Sequence, residues 1–177
     1  YSEEDLLSVA LQVSKQARIL HKGKIAHRDI KNSNIFYIDG VCGRSFQLAA
    51  FGISGTYRVI EFSKRGKEFG KILGTPLYLS PSLFMGDRDS HEKRDVYALG
   101  ITLACFSIPG GQGEILSQLP ENQYQMYKII WDDELRWILG NKVPNTENRA
   151  LREIIFSSLS PRENDRPTFD EIVTALR

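Results

Sequence analysis

His27-Arg28-Asp29-Ile30-Lys31-Asn32-Ser33-Asn34 stands between a long helical pattern and a short apolar run, Ile35 to Ile38. It sets a single carboxylate among basic and amide side chains at fixed offsets. Asp29 can accept a proton from a hydroxyl or orient it. Lys31 can place a point charge against a phosphate, and the Asn34 amide oxygen can face a hard cation. Such residues make half of a phosphoryl-transfer site. The other half has to supply a second metal-binding acid and a group that holds nucleotide phosphates, because this chemistry runs on positioning and charge neutralisation.

Outward from that stretch the chain reads A-F-G at Ala50 to Gly52, G-T-P-L-Y-L-S-P-S at Gly74 to Ser82, D-V-Y-A-L-G at Asp95 to Gly100, and R-P-T-F at Arg166 to Phe169. With H-R-D and the Asn that follows it, this series resembles the eukaryotic protein-kinase family over essentially the whole chain. The resemblance implies a mainly α fold: a kinase C-terminal (large) lobe over 1–177, helical with a short β-hairpin beside the catalytic loop. The catalytic loop is expected at 27–34 and the activation segment at 50–82. The chain has no Gly-x-Gly-x-x-Gly segment, no Val-Ala-x-Lys strand and no helix carrying a pairing Glu ahead of these motifs. The N-terminal lobe is therefore expected to be absent, and to be the first partner, from the same parent or a companion chain.

Size and composition agree with one ordinary domain. The 177 residues are 41% apolar and 25% charged, enough for one core. A formal net charge of +1 gives no bulk argument for nucleic acid or an anionic membrane. No run reaches the length of a membrane span, and Tyr1-Ser2-Glu3-Glu4 is no signal peptide, so a cytoplasmic location is expected. Cys42 and Cys105 have no metal-site spacing and read as free thiols.

The resemblance gives roles residue by residue. Asp29 would orient the acceptor hydroxyl, Lys31 would stabilise the transferred phosphoryl, and Thr75 would support them from the substrate-binding loop. Asn34 would hold one magnesium, and Ile35 and Phe36 would pack under the adenine, so that an active parent would use ATP and magnesium. His27 is a packing and hydrogen-bonding residue rather than a base. Arg28 would meet a phosphate on Thr56, Tyr57, Ser63 or Thr75, the last a poor candidate because its hydroxyl is committed to the catalytic Asp and Lys, and Asp95 would hold the catalytic-loop backbone from below.

Two departures stand out. The family pattern D-F-G has an Asp that chelates magnesium, where this chain has Ala50; Phe51 and Gly52 keep the hydrophobic contact and the hinge. A methyl group cannot coordinate a metal. Ala50 is read either as natural divergence or as a substitution an experimenter would install. The family's A-P-E is Ser80-Pro81-Ser82, so Arg166 loses its usual Glu and is expected to turn to Glu163 or Asp165, or to leave a looser corner.

Periodicity fills in the remainder. Ser2 and Asp5 form a capping-box pattern before Leu6, Ala10, Val13, Ala17 and Leu20, a helix ending near Gly23. Ile35 to Ile38 and Phe46 to Leu48 form a hairpin around a turn at Asp39 and Gly40. Val96 to Ile108 is a central buried helix opened by Arg94 and Asp95 and ended by Pro109 to Gly113. Trp131 and Trp137 read as core, or alternatively as a docking patch. Leu151, Ile154, Ile155 and Leu159 stripe another helix, and Thr168 with Glu171 caps the last one.

The expectation is a kinase-like C-lobe that is inactive or severely impaired in this form, with weak nucleotide binding or none when alone. One alternative is a fragment or dead form of an active ATP-dependent serine/threonine kinase, which Lys31 favours. Another is a scaffold or allosteric module that engages a protein partner through its helical surface.

Overall fold

The computed structural model describes residues 1–41, 43–56, 76–81, 90–120, 129, 134–143 and 148–177. Cys42, Tyr57, Ser63, Thr75, Ser82, Trp131 and most of the 50–82 segment lie outside the described residues, as does the side chain of Thr56.

Helix α1, Glu3–Lys22, starts on a complete capping box, with Ser2 and Asp5 bonding each other's main-chain N–H at 3.1 Å. Glu3, Glu4 and Asp5 in the first turn and Lys22 in the last suit the helix dipole. Leu6, Val9, Ala10, Val13 and Ala17 bury one stripe, as the spacing predicts. The stripe ends on His21, which is buried, while Leu20 is only half-buried.

Strands β1, Ile25–Ala26, and β4, Gly55–Thr56, make a short antiparallel pair. Strands β2, Ile35–Gly40, and β3, Gly43–Leu48, form the expected hairpin. The reversal falls later than expected, because Asp39 pairs with Arg44 and Gly40 with Gly43. Gly43 carries a φ of +103°, a conformation open mainly to glycine, and Arg44 bonds Asp39 at 2.9 Å. The strands thus run on to Gly40 and Gly43.

Two glutamines of α1 complete the outer edge of β3. Gln12 Oε1 accepts the Phe46 N–H and Gln16 Oε1 the Leu48 N–H, both at 2.8 Å, while Gln16 Nε2 donates to the Phe46 carbonyl at 2.9 Å. One helical turn apart, they present a strand's bonding groups from a helix.

The central helix α2, His91–Ser107, is buried along nearly its whole length. It starts earlier than the apolar run suggests, at an Ser90 N-cap that accepts the Lys93 N–H at 3.2 Å. Gly110 and Gly111, at φ of +84° and +58°, turn the chain directly into α3, Gly111–Leu116, a helix not foreseen in a stretch so rich in glycine. Helix α4, Glu134–Lys142, buries Leu135 and Leu139 one turn apart, which puts Trp137 on the opposite arc at 71% exposure. The core reading of Trp137 is thereby corrected. Helix α5, Arg149–Ser158, buries Leu151, Ile154 and Ile155 across α2, and α6, Phe169–Ala175, begins on a capping box at Thr168 and packs on α1.

The architecture is mainly helical, with the β-hairpin beside α1, and the helices and the hairpin share one hydrophobic core. Among the described residues, no helix is long and apolar enough to cross a membrane.

Candidate active site

The loop from His27 to Asn34 is fixed from below by one carboxylate. Asp95, nearly fully buried on α2, accepts the His27 N–H at 2.7 Å on Oδ2 and the Arg28 N–H at 2.8 Å on Oδ1. His21 Nε2 lies 2.8 Å from the same Oδ2, and its ring stacks on Phe169. A carboxylate five residues into a helix could have served its own N-terminus, but this one serves the loop. Two sharp backbone positions flank the anchor, Lys24 at φ +57° and Arg28 at +71°.

Above the anchor, His27 is buried and its imidazole spans two segments. Nε2 donates to the Ala49 carbonyl at 3.0 Å, which leaves Nδ1 to accept the Asp29 N–H at 3.4 Å. Burial pushes its pKa below the ordinary histidine value, against the opposing pull of Asp95. The Phe51 ring meets the imidazole edge-on at 5.0 Å, and Ser54 Oγ donates to the His27 carbonyl at 3.0 Å. These contacts tie residues 49–54 to the loop. Burial also lowers the Arg28 pKa.

Asp29, Lys31 and Asn34 come together. Lys31 Nζ lies 3.0 Å from Asp29 Oδ2, and the Asn34 amide nitrogen donates to Asp29 Oδ2 and to the Asp29 carbonyl, each at 2.8 Å. Asn34 sits on the 3-10 turn Asn32–Asn34, and its carbonyl accepts the Ala49 N–H at 2.9 Å, which sets Ala50 alongside. Ala50 is exposed at a φ of +64°, and Gly52 has open space around it. Neighbours on a strand face opposite ways. Ile35 accordingly enters the core while Phe36, at 60% exposure, offers its ring to the surface.

Arg166 is buried at a distant corner. Its guanidinium donates to the carbonyls of Ser160 (2.7 Å), Pro161 (3.0 Å) and Lys93 (3.2 Å) and to Ser80 Oγ (2.9 Å), and it lies over the Tyr97 ring. Lys93 in turn donates to the Arg166 carbonyl. Glu163 accepts the Ser90 N–H at 2.6 Å and Glu92 the Phe169 N–H at 3.1 Å. Of the two expected outcomes, another acceptor for Arg166 or a looser corner, the first is found, and the acceptors include three main-chain carbonyls and Ser80 Oγ.

Sequence reasoning missed His21, whose only signal is its place one turn beyond Ala17 on the buried stripe. It also missed Tyr78, whose hydroxyl lies 2.9 Å from Asn32 Oδ1 and 3.1 Å from Gln112 Oε1. Cys105 lies 3.9 Å from that hydroxyl, and burial pushes its thiol up to about 11, the chemistry of a packing residue.

Residues 1–175 match the family model described as protein kinase domain. A probable serine/threonine-protein kinase of Dictyostelium discoideum is 29% identical over 95% of this chain and 16% of its own length. The dual specificity protein kinase shkA of the same organism is 31% identical over 85% of this chain and 26% of its own length. A rat calcium/calmodulin-dependent protein kinase type 1B is 29% identical over 75% and 38%. The chain thus spans well under half the length of these relatives.

Proposed function

The chain belongs to the protein kinase family, and from that premise we propose that it forms the C-lobe of a serine/threonine kinase-like domain whose phosphate transfer is disabled in this form. The observation that carries the proposal is the state of the cleft. Asp29, Lys31 and Asn34 are assembled, while the adjoining position, Ala50, brings only a methyl group. A divalent cation bridging nucleotide phosphates needs oxygen donors there, so the residues present do not fit it. Losing one such charge-stabilising interaction costs several kcal/mol of barrier, or powers of ten in rate.

Asp29 and Lys31, 3.0 Å apart, would orient an acceptor hydroxyl and face a phosphoryl group, and the exposed ring of Phe36 would meet a base. ATP is the nucleotide such a cleft would take, together with an N-terminal lobe that closes over it and a protein carrying serine or threonine as acceptor.

A second reading, an active parent with an Asp at this place, is favoured by the φ of +64° at Ala50. Asp tolerates left-handed backbone better than Ala does. Transfer of labelled phosphate from ATP to a generic serine/threonine substrate tests both readings, in the polypeptide with its small lobe, with Ala50 and with Ala50→Asp. Turnover by the Asp form alone supports a working scaffold with a lesion at 50. Turnover by the Ala50 form overturns the proposal, and a folded Asp form that stays silent removes the second reading.

A further inference from the structure

We infer that the cleft beside the catalytic loop holds a polyphosphate anion of the nucleoside di- or triphosphate class without a bridging divalent cation. This rests on the kinase-type reading of the cleft, and it concerns how the ligand is held rather than whether it reacts.

A magnesium ion in a nucleotide site is held at about 2.0–2.1 Å by oxygen donors, commonly one or two carboxylates besides the phosphates. Along 27–34 and 49–52 the only carboxylate is Asp29. Its Oδ2 already receives Lys31 Nζ at 3.0 Å and Asn34 Nδ2 at 2.8 Å. The second bond of that same nitrogen, to the Asp29 carbonyl, fixes the amide and leaves Asn34 one neutral oxygen to offer. The Ala49 carbonyl is engaged by His27 Nε2. Among the described residues there is no group of three His, Cys, Asp or Glu that could hold a metal.

The charged groups are arranged to suit an anion rather than a cation. Arg28 and Lys31 balance Asp29 and the buried Asp95, whose oxygens are taken up by the His27 and Arg28 N–H groups beneath the loop, and the Ala49 contact and Asp29 N–H suit a neutral His27. With the one loop carboxylate paired to Lys31 at 3.0 Å, no unpaired negative charge along 27–34 or 49–52 draws in a dication, and the Lys31 ammonium can turn to a phosphate oxygen. Lys31 supplies the counter-charge that a cation would otherwise provide.

The test uses the isotope-labelled 177-residue chain and ADP as the probe, read on the backbone amides of 29–34 and 49–52. ADP is titrated with a chelator present and again with excess magnesium; the two affinities are expected to agree within about twofold, since no donor set rewards the cation. Manganese(II) is then added to the ADP complex of the chain and of Ala50→Asp. Saturable paramagnetic broadening centred on Asn34 and residue 50 is expected only for the Asp variant, whose ADP affinity should also rise roughly tenfold or more with magnesium. Saturable broadening there in the unaltered chain overturns the inference. So does a failure of ADP to shift these amides in chelator, because the anion is required to bind unaided. An Ala50→Asp chain that behaves like the parent also overturns it, by removing the decision from position 50. None of these readouts involves phosphate transfer, so the outcome of the transfer assay leaves them standing.

Discussion

Asp95 reaches across from the central helix and takes the main-chain N–H of His27 at 2.7 Å, in a position almost sealed from water. The other oxygen holds the Arg28 N–H, so one ionised group fixes the loop at two successive residues. Charge-assisted bonds of this kind are the strong ones when buried. Asp95→Asn keeps the shape but turns an amide N–H toward a main-chain N–H. It is expected to lower unfolding free energy by about 2–3 kcal/mol in urea titration, with the largest gain in amide exchange at His27 and Arg28. A change below about 0.5 kcal/mol would show that the loop is held by other means.

His27 gives the structure an acid limit. Burial depresses its folded pKa below the ordinary 6.5. The unfolded chain therefore binds the proton first, and stability rises with pH in that window. The stabilisation is complete above about pH 6.5 and is lost as pH falls from there through the depressed folded value. Protonation also replaces the Nδ1 acceptor of the Asp29 N–H with a donor. Urea midpoints from pH 7.5 to 4.5 should fall for the parent and fall less steeply for His27→Gln. Parallel slopes would assign the acid sensitivity to other groups.

The left-handed backbone at Ala50 has a cost that a substitution can recover. A residue with a Cβ pays about 1–2 kcal/mol in that region, and glycine gives part of the gain back through unfolded-state entropy. Ala50→Gly is expected to raise stability by about 0.5–1 kcal/mol. Ala50→Val should lower it. The reverse order in thermal melts would mean that φ at this position is not positive in solution.

Much of this was legible because the informative residues are local. The Ser2/Asp5 and Thr168/Glu171 patterns announce two helix starts within four residues, and both boxes form. The stripe from Leu6 to Ala17 follows from period, and the hairpin from its apolar run, though not the place of its turn. What the sequence hid depends on distance along the chain. Nothing local marks Gln12 and Gln16 until β3 is placed beside them, or His21 until Asp95 lies 2.8 Å away. Trp137 is left between core and surface by the sequence because apolar mass alone does not say which arc of a helix faces inward; burial of Leu135 and Leu139 decides for the surface. The bonding around Arg166 draws on main-chain carbonyls, which carry no sequence signature.

Gly100 on α2 lies against the C-terminal end of α5. A Cβ built on it would stand 2.8 Å from Ser158 Cβ and 3.1 Å from Leu159 Cδ2, at a site with no room to relax. Gly100→Ala is expected to cost about 1–3 kcal/mol in denaturant unfolding despite the better helix propensity of alanine. Ser158→Ala leaves the offending Cβ in place and should not rescue it. Ser158→Gly should recover part of the loss in a double-mutant cycle, and full additivity of the two changes would show that the crossing is looser than the distances indicate.

The glutamine pair makes a prediction specific to one edge of the hairpin. Gln12 and Gln16 satisfy the N–H groups of Phe46 and Leu48, whose side chains are buried on the same strand. Removing one acceptor leaves a partly buried donor without its bond, at about 1–2 kcal/mol. Gln16→Leu keeps the length and the apolar packing, so its effect reports the hydrogen bonds rather than the bulk. Amide exchange should accelerate by roughly tenfold at Leu48 in Gln16→Leu and at Phe46 in Gln12→Leu, the factor that corresponds to about 1.4 kcal/mol of lost protection. The cross-strand bonds of β3 to β2 lie on its other edge and should keep their protection. If both edges exchange faster together, the glutamines hold the whole hairpin against α1, and the strand pairing itself depends on the helix.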